Sequence, residues 1–230
     1  MRLWRRWRPL TAGAVVASAL IGSIASCGDD LPDGEQSSDP AVVAVEGVAC
    51  AHETMGVGIV VAPGLVVTNA HVVAGAEELN TRSGDGDGTP VQVVAFDPIT
   101  DLALLAGDGV GEASVRLGSA RAADLVRVDT IVDGALVSSP ARVVRPIVAV
   151  GEDIYRRDGA RRRVLELDAE VVEGDSGAGV FDSGGALVGV LFARSSSGQG
   201  RAYAVAASEV EALLAGLGPD PTPVEVGPCL

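Results

Sequence analysis

The chain contains no lysine; all 17 of its basic residues are arginine, which we read as a bias of coding composition and not as a functional signal. Aromatic residues make up only 3% of the sequence, so any core must be built from valine, leucine, isoleucine and alanine. Positive charge is scarce against 31 acidic residues, and the net charge of −14 repels a phosphate backbone. Nucleic acid is therefore excluded as a partner, and the acidity reads as solubility. Long apolar runs are also missing beyond the N-terminus, and no internal repeat is visible. What is abundant is valine and glycine (30 residues), a composition that favours strands and tight turns over helices. At 230 residues and 47% hydrophobic content, the chain suits one domain with a full core and short appendages.

The N-terminus has the layout of an export signal. Arg2, Arg5, Arg6 and Arg8 precede an apolar and small-residue stretch from Leu10 to Ser26, and no acid occurs before Asp29. The stretch is at the short end for a membrane-spanning helix. It closes on Ile24-Ala25-Ser26-Cys27, which resembles the lipobox of bacterial lipoproteins, with Cys27 as the lipidated residue. Ordinary secretion and an uncleaved membrane anchor are the alternatives, and Arg5-Arg6 hints at twin-arginine export. Residues 1–26 thus read as a lipoprotein-type signal peptide and residues 27–40, acidic and turn-rich, as a flexible linker. With Cys27 lipidated, Cys50 and Cys229 remain as a possible pair in an oxidising compartment, or as two unpaired thiols.

From Ala41 onward, short apolar runs are broken by Gly, Pro and Asp. Candidate strands are Val42–Val48, Val57–Val61, Leu65–Thr68, Val91–Phe96, Leu102–Leu105, Leu125–Val132, Ala141–Val150, Val164–Val171, Gly179–Phe181, Ala186–Phe192 and Ala202–Val205. Only the end looks helical, with Ser208 as a cap and Glu211 three residues on. The pattern predicts an all-β domain over residues 41–230, with a strand supply that suits two tandem six-stranded antiparallel barrels and a short C-terminal helix. The loop Ser83–Gly88 alternates acid and glycine, but it lacks the glutamate and spacing of a calcium loop and reads as a hairpin turn. No metal or cofactor is implied.

Three motifs carry chemistry. Gly174-Asp175-Ser176-Gly177 places a serine where flanking glycine lets backbone amides converge. Such a hydroxyl needs a base to take its proton and amide donors for the oxyanion that follows. Gly174 and Ser176 are the candidate oxyanion-hole amides, with that of Asp175 beside them. Thr68-Asn69-Ala70-His71-Val72-Val73 ends a predicted hairpin in a histidine, one of two in the chain; the other, His52, has no ligand cluster around it. Asp101 leads directly into the apolar run Leu102–Leu105, where it can be buried and orient an imidazole. Asp97, before Pro98, is its rival.

In that order, TNAHVV, TDLALL and GDSG resemble the trypsin-like (chymotrypsin-fold) serine peptidases, over roughly residues 41–216. The resemblance implies an exported serine endopeptidase with His71 as base, Asp101 as orienting acid and Ser176 as nucleophile, acting on protein or peptide substrates. A closer resemblance is to the peptidase domain of the actinobacterial membrane-anchored serine proteases associated with acid resistance. It is carried by Ala49-Cys50, FDPITDLALL, Gly151–Tyr155 and Gly227-Pro228-Cys229, and it implies a Cys50–Cys229 disulfide. Departures lie near the cleft: Ser176-Gly177-Ala178-Gly179 replaces Ser-Gly-Gly-Pro, and Val132-Asp133-Gly134 stands where Gly-Tyr-Pro is common. In the digestive relatives the equivalent of Asp175 pairs with a new N-terminus after activation. No such activation sequence is present, so Asp175 needs another partner, an arginine being one possibility. By position, Glu170 would line the substrate pocket and favour a basic residue before the scissile bond, with Arg194 able to cancel its charge. The alternative function is a catalytically silent protease fold serving as a binding or sensing module at the cell envelope.

Overall fold

The computed structural model describes residues 41–84, 86–194 and 200–230. The expected signal peptide, Cys27 and the linker to residue 40 lie outside the described residues, as does one residue of the 83–88 loop. The described chain is all-β with two short helices. Its first half runs β1 (Val42–Ala49), β2 (His52–Ala62), β3 (Leu65–Thr68), α1 (Ala70–Val73), β4 (Ala76–Arg82), β5 (Thr89–Pro90), β6 (Gln92–Asp97) and β7 (Leu102–Ala106). These strands form one antiparallel sheet in the order β5-β4-β1-β2-β3-β7-β6. β5 and β6 are two parts of one extended segment, broken at Val91, whose N–H still donates to Leu79 O at 3.0 Å. Counted together they run from β4 to β7, so this half is a six-stranded ring interrupted at one residue.

The second half is a closed six-stranded barrel in the order β10-β13-β12-β11-β8-β9. Its strands are β8 (Leu125–Val132), β9 (Ala135–Glu152), β10 (Asp158–Asp168), β11 (Gly179–Asp182), β12 (Leu187–Arg194) and β13 (Arg201–Ala206), followed by α2 (Ala207–Ala215). The turn Asp133-Gly134, both residues with positive φ, joins β8 to β9 in register Val132↔Ala135. β9 is longer than the predicted Ala141–Val150 because its first part pairs with β8 and its second with β10. β4 carries no sequence signal: AEELNTR has one buried apolar side chain, Leu79, and the strand forms because β1 supplies its ladder. Ser208 is not the helix cap. The N-cap is Ala206, which gives no side-chain cap, because β13 runs straight into the helix and leaves no turn for one.

Two apolar clusters organise the packing. Val43, Val45, Val60, Val66, Val72, Val73 and Leu105 fill the first ring. Val57, Ile59, Leu102 and Leu104 from the same ring pack instead with Val180, Phe181, Leu187 and Leu191, which joins the two halves. Fully burying one such side chain is worth about 1.5–3 kcal/mol. Helix α1, a single turn with no side-chain cap, is too short to hold itself, and it is fixed by Val72 and Val73 in the first core.

The C-terminal tail is tied back onto the first ring. Cys229 is bonded to Cys50 across a separation of 179 residues, and Val224 N–H donates to Val93 O at 2.9 Å. Tyr155, at the tip of the β9–β10 hairpin, donates its hydroxyl to Val226 O (3.3 Å) and Pro228 O (3.2 Å). Beside it, Ile154 N–H reaches Pro98 O at 3.3 Å. Burial pushes the Tyr155 hydroxyl pKa up, with nearby Arg157 lowering it and Asp153 raising it.

Replacing both bridge cysteines with serine should lower stability by about 3–5 kcal/mol, the chain-entropy value for a loop this long being about 5 kcal/mol. A guanidinium midpoint equal to that of the parent would contradict this. Because folding raises the Tyr155 pKa, its latch contributes in full below about pH 10 and is lost as pH rises through the raised value. The stability advantage of the parent over Tyr155→Phe should therefore fade in strong alkali. An advantage that persists would show that the hydroxyl is not the source.

Candidate active site

The structure brings His71, Asp101 and Ser176 together from three separate segments. Asp101 ends the turn before β7 with φ +61°, a left-handed conformation that aspartate tolerates better than most residues. Its carboxylate is 3% exposed and accepts from the His71 backbone N–H at 3.0 Å. The His71 ring nitrogen Nδ1 lies 3.1 and 2.8 Å from the two carboxylate oxygens, and Nε2 lies 2.9 Å from Ser176 Oγ. An ionised carboxylate only accepts, so Nδ1 carries the proton and Nε2 is free to accept from the serine hydroxyl. Asn69 Nδ2 donates to Asp101 O at 2.9 Å, which fixes the turn from the far side.

Asp97 does a different job. Its side chain accepts from the Ile99 N–H (2.9 Å), the Thr100 N–H (3.4 Å) and the Thr100 hydroxyl (2.7 Å), closing the turn that presents Asp101. The choice of Asp101 as the residue facing the imidazole follows from this geometry.

Ser176 comes from the second half but is gripped by the first. Val57 N–H on β2 donates to Ser176 O at 2.7 Å, while Val57 O accepts from the Thr68 hydroxyl at 2.7 Å. The next residue, Gly177, has φ +89°, and a Cβ there would overlap the Val57 carbonyl oxygen. Gly177 N–H donates in turn to Leu191 O on β12 at 2.9 Å. No larger residue fits this close approach of the turn to β2.

Of the three candidate oxyanion amides, that of Asp175 is committed to Val172 O at 3.3 Å. Those of Gly174, at φ +100°, and Ser176 have no protein acceptor among the described residues. The Asp175 carboxylate is 7% exposed, and its partner is not an arginine. Thr130 Oγ1–H donates to Oδ1 at 2.8 Å and Val172 N–H donates to Oδ2 at 2.8 Å. Sequence reasoning missed Thr130, which lies 45 residues away with no motif around it.

A cavity of about 240 Å³ opens beside Ser176, lined by Val171, Val172, Glu173, Asp175, Leu191, Phe192, Ala193 and Arg194. Arg194 lines this cavity, and Glu170 does not. The in–out alternation of the preceding strand continues past its end, burying Leu167 and Ala169 and turning Asp168 and Glu170 to solvent. His52 is exposed at the start of β2, and no group of three or more potential metal ligands occurs among the described residues.

An Asp–His–Ser line that runs from the first six-stranded ring to a serine beside a cavity in the second defines a class. Residues 56–190 match the family described as Trypsin-like peptidase domain, and the chain belongs to that family. The serine protease Rv3671c of Mycobacterium tuberculosis is 32% identical over 200 residues, which cover 84% of this chain and 50% of that protein. Its crystal structure in the active form superposes with a TM-score of 0.78 at 31% identity, over 84% of this chain and 86% of the other. Its inactive form gives 0.69 at 31% identity, over 79% and 90%. A probable periplasmic DegP-like serine endoprotease of Pseudomonas putida is 29% identical over 159 residues, 66% of this chain and 32% of that one. The chain thus spans about half the length of Rv3671c and about a third of the DegP-like protein.

Gly177→Ala should be among the most damaging single changes, since it adds both backbone strain and overlap with Val57 O; a loss of about 3 kcal/mol is expected. A urea midpoint within error of the parent would mean that the two halves do not meet as closely as described.

Proposed function

We propose that this chain is an exported serine endopeptidase that hydrolyses peptide bonds in protein or peptide substrates through Ser176, His71 and Asp101. The observation that carries this reading is the unbroken hydrogen-bonded line from the buried Asp101 carboxylate through the imidazole to the Ser176 hydroxyl, ending at an open cavity. His71 Nε2 takes the hydroxyl proton as Ser176 Oγ bonds to the substrate carbonyl carbon. The Gly174 and Ser176 amides face the oxygen that becomes negative. Collapse breaks the carbon–nitrogen bond, and His71 returns its proton to the leaving amine. Water, deprotonated by the same imidazole, then releases the acyl group and restores the serine. Asp101 stays ionised throughout and stabilises the imidazolium. These steps use only side chains, backbone amides and water.

The closer superposition on the active than on the inactive form of Rv3671c supports a formed site. The alternative of a silent binding module rests on the altered cleft motifs and on an Asp175 without a partner, and Thr130 and Val172 supply that partner. With Glu170 turned to solvent, we take the part of the cavity formed by Val171, Val172 and Leu191, beside the charged Glu173 and Arg194, to receive an apolar side chain before the scissile bond. Export is inferred from the basic-then-apolar leader and a lipid-bearing Cys27, which would hold the domain at a membrane. The Cys50–Cys229 bridge supports an oxidising compartment, although no helix among the described residues is long and apolar enough to cross a membrane.

Profiling of a mixed peptide library should give cleavage after apolar residues. Ser176→Ala or His71→Ala should lower kcat about a millionfold, and Asp101→Asn about ten-thousandfold. Variants that keep parental turnover would refute the assignment.

A further inference from the structure

We infer that Thr130 is a positioning residue for the oxyanion donors, acting through Asp175 and never touching substrate. The inference rests on the endopeptidase reading above and deepens it.

The turn before the nucleophile is closed upon itself. Val172 N–H donates to Asp175 Oδ2 at 2.8 Å, and Asp175 N–H donates back to Val172 O at 3.3 Å. Both bonds lie inside the turn and would survive its moving as a unit. The Thr130 hydroxyl, at 2.8 Å from Asp175 Oδ1, is the hydrogen bond that fastens this carboxylate to the barrel wall. Thr130 can serve as a fixed point because β8 is itself held. It is paired with β9 on one side and β11 on the other, and neighbouring Asp129, 1% exposed, accepts from Arg127 Nε (2.8 Å) and Ser138 Oγ (2.5 Å).

Gly174, at φ +100°, sits within the pinned turn, and Ser176 follows it directly. Rotation of the turn would therefore swing the Gly174 amide away from that of Ser176. Oδ1 and Oδ2 each have one neutral donor, and no cation contacts the Asp175 carboxylate among the described residues. Removing the Thr130 hydroxyl leaves a buried carboxylate oxygen without a partner, so the carboxylate is driven to seek water and the turn to follow it.

Thr130→Val keeps the branched shape at β8 and deletes only the donor, whereas Thr130→Ser restores it. In peptide hydrolysis, Thr130→Val should lower kcat about 10- to 100-fold, below the 10²–10³ reported for deleting an oxyanion donor outright, with KM changed less than about threefold. Thr130→Ser should recover kcat to within about threefold of the parent. Amide hydrogen exchange over residues 172–176 should accelerate in Thr130→Val and not in Thr130→Ser. A Thr130→Val enzyme with parental kcat overturns the inference. So does a Thr130→Ser enzyme impaired as severely as Thr130→Val, because the hydroxyl would then not be what matters. The parent separates the two levels: if it fails to turn over peptides the endopeptidase reading falls, and if it succeeds while Thr130→Val matches it, only the role of Thr130 falls.

Discussion

A buried carboxylate must find donors, and in this fold two such groups decide how the site is built. Asp101 is nearly sealed from solvent, and its oxygens are met by the backbone and ring N–H groups of His71. Satisfying that one group fixes the imidazole's tautomer and orientation together. It also ties β7, which follows Asp101, to α1, which carries His71. Helix α1 is one turn long, and its position is set by Val72 and Val73 in the first core, by Asp101 at its start and by the Thr54 hydroxyl, which donates to Val72 O at 2.7 Å. Asp175 is the counterpart in the second barrel, where Thr130 and Val172 take the place of the cation that a buried acid often recruits.

The two halves must then be held to within hydrogen-bonding tolerance of each other, because Ser176 and His71, which share a hydrogen bond, come from different ones. Val57 and Gly177 achieve this by direct backbone contact, and the mixed cluster around Ile59, Leu104 and Phe181 surrounds that contact with apolar surface. The tail contributes from the outside. The disulfide links the β1–β2 turn to the C-terminus, and the Tyr155 latch joins the same tail to a hairpin that also touches Pro98, three residues before Asp101.

Much of this was legible in the sequence because His71, Asp101 and Ser176 each sit in a local pattern with its own cause. His71 follows a hairpin, Asp101 opens an apolar strand, and Ser176 lies between glycines whose positive φ values the turn requires. The preference for Asp101 over Asp97 was readable for the same reason: one leads into a strand, and the other sits before proline in a turn. What could not be read depended on tertiary partners. Thr130 meets Asp175 only once β8 and the 172–175 turn are side by side, and β4 exists only because β1 pairs with it. Glu170 failed because counting back from the serine ignores which way the strand's alternation turns each side chain. Ser208 failed because a strand that runs directly into a helix leaves the capping position to Ala206.

The proposed chemistry rests on activation of the Ser176 hydroxyl by His71 and Asp101. It is tested most directly by treating the folded protein with a fluorophosphonate and locating the adduct by mass spectrometry. A single adduct on Ser176 is expected, formed in the parent and absent when His71 is replaced by alanine. Stoichiometric labelling of another residue, or none at Ser176 in a preparation that cleaves peptides, would contradict it.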